Sequence, residues 1–475
     1  MFRRGIWLKT LALFIGETGI ILSAVLLNLY WRFSDYLKAV LFEQRGLLKI
    51  VATTLVCQFV FYLFDLYDVT TARSKRELLT DLMRAVGTTI LVLGVIFFLR
   101  PTLLLGYLDE LEGRPGLVRY ANGVPIIAMF LALCLMMLWR LAFHGLLRHP
   151  RLNERLLIVG TDALAQGIAR EALTRRDLSY KVVGFISEDP ELVGKSLVNP
   201  SVLGVMSQLS EIVQRERVDR VIIALTDRRG HLPVEQLLNL RLQGKAIIEE
   251  GAAIFEKLTG KVSVDMLRPS WLIFSGSVKR GRVFLALRRL LNIVGAMLGV
   301  VLACPIAVVT AIAIKLDSRG PVFYTQERVG KNGEPFTIIK FRSMRTDAEK
   351  DGPQWSVTGD NRITRVGRFI RATRIDELPQ LINVLRGEMN FVGPRAERAH
   401  FVEQLCAAIP YYNQRHLVEP GLTGWAQVNY GYGSTVDDAI QKFQYDLYYI
   451  KNASLLFDLW IMLKSIKVVL LGRGQ

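Results

Sequence analysis

LLNIVGAMLGVVLACPIAVVTAIAI, residues 290–314, is a run of 25 uncharged positions with a proline near its middle. As a helix it would rise roughly 37 Å, enough to cross the hydrocarbon of a bilayer. Pro305 opposes a plain crossing, because it removes one backbone hydrogen bond and bends a helix around itself. Basic residues stand at both ends: Lys279, Arg280, Arg282, Arg288 and Arg289 before the run, Lys315 and Arg319 after it. Since lysine and arginine concentrate on the cytoplasmic side, cations at both ends fit a segment that enters one leaflet and returns. The alternative is an ordinary kinked span, which would put the rest of the chain across the membrane.

Toward the N-terminus, four more stretches approach the roughly 20 apolar residues that a bilayer demands. They are Leu11–Trp31, Leu48–Phe64, Ala85–Leu99 and Ala121–Trp139, with Trp31, Tyr67 and Trp139 at interfacial positions. An even number of spans returns the chain to its starting side. Arg3, Arg4 and Lys9 before the first span, and Arg140, Arg148 and Arg151 after the fourth, assign that side to the cytoplasm, although Arg32, Lys38 and Arg45 dilute the bias. MFRRGIWLK opens like a signal peptide but has no small-residue cleavage site, so it reads as a retained helix. Glu17, inside the first span, reads as an acid shielded between helices.

Composition agrees with this picture. The 475 residues suffice for two or three domains, and 51% apolar content with a net charge of +17 fits a membrane protein meeting anionic lipid or phosphate-bearing substrates. A membrane anchor argues against nucleic acid as the partner. Cys57, Cys134, Cys304 and Cys406 are scattered, with no zinc or disulfide spacing.

From Asn153 the pattern becomes soluble α/β. RLLIVG is an apolar strand ending in glycine, TDALAQGIAREAL a helix, and KVVGFIS and RVIIAL further strands. That alternation predicts a doubly wound, Rossmann-like domain over 151–262, between four transmembrane helices in 1–150 and a connector at 263–283. The first turn, Gly160-Thr-Asp with the next glycine at Gly167, lacks the dinucleotide fingerprint, so a regulatory or structural role is expected. The membrane segment then occupies 284–318 and an α/β catalytic domain 319–475.

Three basic clusters lie in that last domain. PFTIIKFRSMRTDAE carries Lys340, Arg342 and Arg345, and DNRITRVGRFIRATRIDELPQLINVL carries Arg362, Arg365, Arg368, Arg371 and Arg374. FVGPRAER carries Arg395 and Arg398. Asp376 reads as a helix N-cap, with Pro379 tolerated in the first turn, and a carboxylate there is kept ionised by the helix dipole. An ionised aspartate facing phosphorus is a candidate nucleophile. Neighbouring helical positions point about 100° apart, so Glu377 takes a different part, holding a divalent cation or orienting the nucleophile. Mg²⁺ suits such a site, since it binds through one or two carboxylates plus substrate phosphates. Asp376 is the expected contact for it, and the basic side chains, Arg362 included, would neutralise a diphosphate.

KFRSM, DELPQLINVLRGEMNFVGPR and PGLTGWAQ together resemble the bacterial sugar transferase family, the monotopic phosphoglycosyl transferases. The resemblance covers about residues 284–475; the four-span start and Rossmann-like middle are similar to the family's large members in architecture only. It implies transfer of a sugar 1-phosphate from a UDP-sugar to undecaprenyl phosphate, with release of UMP, as the first step of exopolysaccharide or O-antigen synthesis. It also implies Mg²⁺ and a phosphosugar–aspartyl intermediate on Asp376, with Glu377 in support. Lys340, Arg342 and Arg395 fall on the family's basic motifs, as phosphate or nucleotide contacts. Pro305 falls on the helix-breaking proline of its re-entrant membrane helix. A homodimer in the bacterial inner membrane, with the catalytic domain on the cytoplasmic face and in contact with lipid, is what the resemblance suggests. Two positions depart from the pattern: Cys304-Pro305 replaces Ser-Pro, and GPRAE replaces GPRPE, with Ala396 in place of the second proline.

Two other readings compete. A membrane-anchored nucleotide-sugar dehydratase or epimerase would need an intact glycine fingerprint and a Tyr-x-x-x-Lys couple. A non-catalytic regulator of polysaccharide assembly would need neither Asp376 nor Glu377.

Overall fold

The computed structural model describes residues 4–33, 46–67, 75–99, 134–143, 154–174, 180–225, 232–264, 281–348, 350, 360–431, 433 and 435–470. These fall into two compact units, Met1–Gly251 and Ala252–Gln475. Residues 121–133 of the expected fourth span and most of the expected connector lie outside the described residues.

The first unit opens with helices Arg4–Phe33, Gly46–Leu63 and Lys75–Leu99. Their buried side chains, Leu13, Ile21, Cys57, Phe61, Leu82 and Ala85 among them, form one cluster with Met136 and Phe143. Leu27, Leu48, Leu55, Ile90 and Leu91 on the same helices face outward. A helix apolar on every face is one that a membrane or the core of a larger assembly covers. Within these three, the stretch Glu77–Ile96 is long and apolar enough to cross a membrane; Thr10–Ala24, Ile50–Leu63 and Cys134–Phe143 are shorter apolar stretches.

Glu17 is shielded as expected, but by an ion pair: its Oε1 lies 2.6 Å from Arg140 Nη2, with both side chains fully buried. Arg140 also donates to the Leu66 carbonyl at 2.8 Å. The expectation that Arg140 is a flanking charge marking the cytoplasmic side is therefore corrected. A buried, paired arginine does not report on topology.

The same unit holds a parallel sheet of β1 (Glu154–Val159), β2 (Tyr180–Ser187), β3 (Val202–Val205), β4 (Arg220–Ile223) and β5 (Ile247–Glu250), in the order β3-β2-β1-β4-β5. Leu156, Leu157, Ile158 and Val159 are all fully buried, as a central parallel strand covered on both faces requires. The chain reverses direction across the sheet beside β1, in the doubly wound manner. Gly160 there has φ +119°, and a Cβ would come within 2.7 Å of the Ala224 carbonyl oxygen. Its glycine thus serves strand packing.

The second unit is built on the helix Arg282–Asp317, whose 36 residues satisfy the length and hydropathy of a membrane helix. Pro305 lies inside this helix, 23 residues after its start at Arg282. Both ends of the helix pack on the same unit. Near its start, Arg288 donates to the Val392 carbonyl and pairs with Asp458 at 3.0 Å, and Arg289 donates to the carbonyls of Val384 and Leu385. Asn292 bonds Asn390, and Ala296 joins the core of Ile338, Leu381, Val384 and Met389. Near its end, Ile314 packs with Phe341 and Ile370, while Asp317 accepts from the Val366 amide at 3.0 Å. Between these anchors Val301, Leu302, Ile306 and Val309 are exposed.

Against this helix lie the hairpin β6 (Phe323–Val329) and β7 (Pro335–Phe341), the helix Arg365–Ala372, and a 3₁₀ turn, Ile375–Gln380, running into the helix Leu381–Arg386. Two short parallel strands, β8 (Asn390–Val392) and β9 (Gly421–Thr423), follow. Helices Val436–Asn452 and Leu455–Leu470 finish the unit. Asp438 caps the first of these, accepting from Thr435 and Tyr430.

Candidate active site

Three elements converge on Glu377. β7 delivers Lys340, the 3₁₀ turn delivers Asp376 and Glu377, and the Gly-Pro-Arg loop after β8 delivers Arg395. Register is fixed from beneath by Asn383, which is fully buried: its amide donates to the Thr337 carbonyl and to Glu388, and accepts from the Ile339 amide. Lys340, next along β7, is thereby aligned with the turn. Arg374 enters that turn with φ 59°, a left-handed conformation that a non-glycine residue adopts rarely. Strain of this kind persists only where the surroundings enforce it.

One oxygen, Glu377 Oε1, faces three cations: Lys340 at 3.4 Å, Arg395 at 3.5 Å and Arg374 at 3.6 Å. None approaches the roughly 2.7–2.9 Å of a strong charge-assisted bond. Three cations against two carboxylates leave the site net positive, a condition that favours an incoming anion. Arg328, on β6, adds to it. Burial, with Arg395 and Arg398 nearby, pushes its guanidinium down to about 10.

The two carboxylates are buried to the same degree yet differ in how readily they ionise. Burial opposes ionisation of Glu377, but Lys340, Arg395 and Arg374 outweigh it and hold the group at about 2. Asp376 is pushed up to about 6 by burial and by the charge of Glu377. Its Oδ1 is buried without a hydrogen-bond partner among the described residues. The expectation that Asp376 is an N-cap kept ionised by the helix dipole is therefore corrected: Arg374 occupies the cap position, Asp376 lies inside the turn, and desolvation sets its charge. Lys340 is likewise pulled below its ordinary value by burial, against the pull of Glu377.

Lys340, Asp376, Glu377 and Arg395 are thus brought together as the sequence suggests. Arg342 and Arg362 are directed elsewhere. Arg342 donates to the carbonyls of Ser318 and Arg319 and to the Ser318 hydroxyl, closing the end of the long helix. It sits past the last residue of β7, where the strand's alternation no longer governs its direction. Arg362 grips Asp360 through two hydrogen bonds, of 2.8 and 2.6 Å, and donates to the Ala348 carbonyl.

Sequence reasoning missed Arg328, which no motif marks. It donates to the Ala396 carbonyl while the Val329 amide bonds the Glu397 carbonyl, so β6 anchors the loop at the position where the family's second proline is lacking. A second missed brace is Arg415, which donates to the Arg395 carbonyl at 3.0 Å and pairs with Asp446 at 3.0 Å.

Comparison with known proteins places the chain that carries these carboxylates and cations. The bacterial sugar transferase family matches residues 283–472, and a CoA-binding domain family matches residues 62–231. The chain belongs to the bacterial sugar transferase family. It is 46% identical over 221 residues to a UDP-N-acetylgalactosamine-undecaprenyl-phosphate N-acetylgalactosaminephosphotransferase of Aeromonas hydrophila, spanning 46% of this chain and 52% of that protein. It is 34% identical to an undecaprenyl-phosphate glucose phosphotransferase of Komagataeibacter xylinus, over 68% of this chain and 60% of that one. Similarity to a UDP-glucose:undecaprenyl-phosphate glucose-1-phosphate transferase of Xanthomonas campestris pv. campestris, at 32% identity, covers 70% of each chain. The chain therefore spans only about half to two thirds of the first two relatives.

Proposed function

We propose that this protein transfers a sugar 1-phosphate from a UDP-sugar to undecaprenyl phosphate at the cytoplasmic face of the bacterial inner membrane, releasing UMP. The relatives' names carry the reaction class to this chain. The observation that carries the mechanism is the unequal pair: Glu377 is held ionised by three cations, while Asp376 presents a buried oxygen with no partner among the described residues.

In the first step an Asp376 oxygen attacks the phosphorus that bears the sugar. The bond from that phosphorus to the bridging oxygen breaks, and UMP leaves with the electron pair. In the second, an oxygen of undecaprenyl phosphate attacks the same phosphorus, the aspartyl bond breaks, and the carboxylate is regenerated on a lipid-linked diphosphosugar. Lys340, Arg374 and Arg395 face the charge that develops on the leaving phosphate. Glu377 keeps those cations in place and, by its own charge, makes the neighbouring carboxylate more basic.

One ligand for a divalent cation is present: Asp376 Oδ1, buried without a partner among the described residues. No group of three metal-ligating side chains occurs among the described residues, so a bound ion would rest on Asp376 and substrate phosphates, as Mg²⁺ does. When bound, it would neutralise phosphate charge. Glu377, already facing three cations, is the poorer ligand.

Membrane placement follows from the long helix. Its polar residues at both ends bond one and the same unit while its middle is exposed and apolar, which supports entry and return on one side over a crossing. A tag at Gln475 reachable only from outside the inner membrane would contradict that. For the reaction, wild-type protein and the Asp438→Asn variant should release UMP from a UDP-sugar with undecaprenyl phosphate, and Asp376→Asn should release none. Equal release by Asp376→Asn and Asp438→Asn would overturn the assignment.

A further inference from the structure

Gln380 makes the site larger than the carboxylate pair. The residue is 3% exposed, and its Nε2 is buried without a hydrogen-bond partner among the described residues. A desolvated amide left unpaired is costly, and in native proteins such groups call for an explanation. Placement supplies one. Gln380 ends the 3₁₀ turn that carries the pair, and in a 3₁₀ turn residues i and i+3 eclipse, so it stands on the face of Glu377. The same turn therefore holds a buried acceptor without a partner, Asp376 Oδ1, and a buried donor without one, Gln380 Nε2. The two do not bond each other. A phosphate with its counter-cation would complete both, accepting from one and bringing positive charge to the other.

We infer that Gln380 is a substrate-contacting residue, whose amide donates to an oxygen of the transferred phosphoryl group. This deepens the transferase reading and rests on it. An uncharged donor suits the position: it binds phosphate oxygen through both transfers without forming a salt bridge to Glu377 or adding to the positive excess. Proline at 379 helps fix the turn, since it presets its own backbone angle.

The test is Gln380→Met, which keeps the volume and removes the amide. Wild type and Asp376→Asn are run beside it with UDP-sugar, Mg²⁺ and undecaprenyl phosphate. The expected result is a drop in kcat/KM of about 10- to 100-fold, the value of a hydrogen bond to a charged group. Without substrate, the variant should melt at the wild-type temperature or above it, because an unpaired buried donor has been removed. Mg²⁺ with UDP-sugar should raise the melting temperature of wild type more than that of the variant. Unchanged kcat/KM, or a melting temperature lowered in the absence of substrate, would overturn the inference and mark Gln380 as bystander or structural. A wild type that releases no UMP, or an active Asp376→Asn, would instead overturn the transferase reading itself.

Discussion

Adjacent carboxylates with opposite shifts should respond oppositely to neutralisation. Asp376 is raised from 3.8 to about 6, by burial first and by Glu377 second. At about 1.4 kcal/mol per unit, ionised Asp376 then weakens the fold by as much as about 3 kcal/mol at pH 8. Glu377 is lowered from 4.5 to about 2 by Lys340, Arg395 and Arg374 despite its burial, so its charge contributes a similar amount. The repulsion between the two is common to both figures, so they do not add. Asp376→Asn should therefore raise the melting temperature, and Glu377→Gln should lower it, each by roughly 3–10 °C for a domain of this size. The signs follow from the direction of each shift. A raised acid confers stability below its unfolded value and loses it as pH rises, so the Asp376→Asn advantage should appear between pH 4 and about 6. A depressed acid confers stability above its unfolded value, so the Glu377→Gln deficit persists until pH falls toward about 2. The assay is thermal unfolding of detergent-solubilised protein, free of substrate and divalent cations, at pH 4.5 and pH 8. A fall in melting temperature for Asp376→Asn equal to that for Glu377→Gln would refute the account of unequal environments.

Three further outcomes follow from the same geometry. The acid limb of kcat/KM should move to higher pH as free Mg²⁺ is reduced, because a cation on Asp376 opposes the upward push of burial and Glu377 on that carboxylate; a limb independent of Mg²⁺ would contradict this. Arg395→Ala should lower kcat/KM for the UDP-sugar by about 10- to 100-fold and lower the melting temperature by less than Glu377→Gln does, since two of three cations remain, whereas Arg342→Met should cost about 2–3 kcal/mol of stability and leave KM for the UDP-sugar unaltered. Asn383→Leu leaves the Ile339 amide and Glu388 without that partner, so it should destabilise by about 2–4 kcal/mol in thermal unfolding and reduce kcat by misplacing Lys340.

The sequence and the structure agree best where one short-range pattern governs the outcome. The unbroken apolar run of β1 announces a strand buried on both faces, and its burial is complete. DELPQ with an arginine after Gly-Pro brings Asp376, Glu377 and Arg395 together with Lys340, because strand, turn and loop each carry a local signal. Direction and charge were harder to read. Arg342 and Lys340 look equivalent two positions apart, yet the strand ends between them and Arg342 turns to the helix end. Asp376 looks like a cap, and only the tertiary burial of its turn reverses the expected shift. Arg140 counts as a surface charge until Glu17, 123 positions earlier, is found beside it. Arg328 carries no local signal, since what marks it is proximity; Gln380 lies within DELPQ, but what singles it out there is a missing partner.

The most direct test of Asp376 as nucleophile is a single-turnover measurement with UDP-sugar and Mg²⁺ but no undecaprenyl phosphate. The expected result is a burst of UMP approaching one per protein, matched by a protein mass increase of one sugar phosphate on the peptide containing Asp376, and neither in Asp376→Asn. No UMP until the lipid phosphate is added would contradict it, pointing instead to direct transfer between the two substrates.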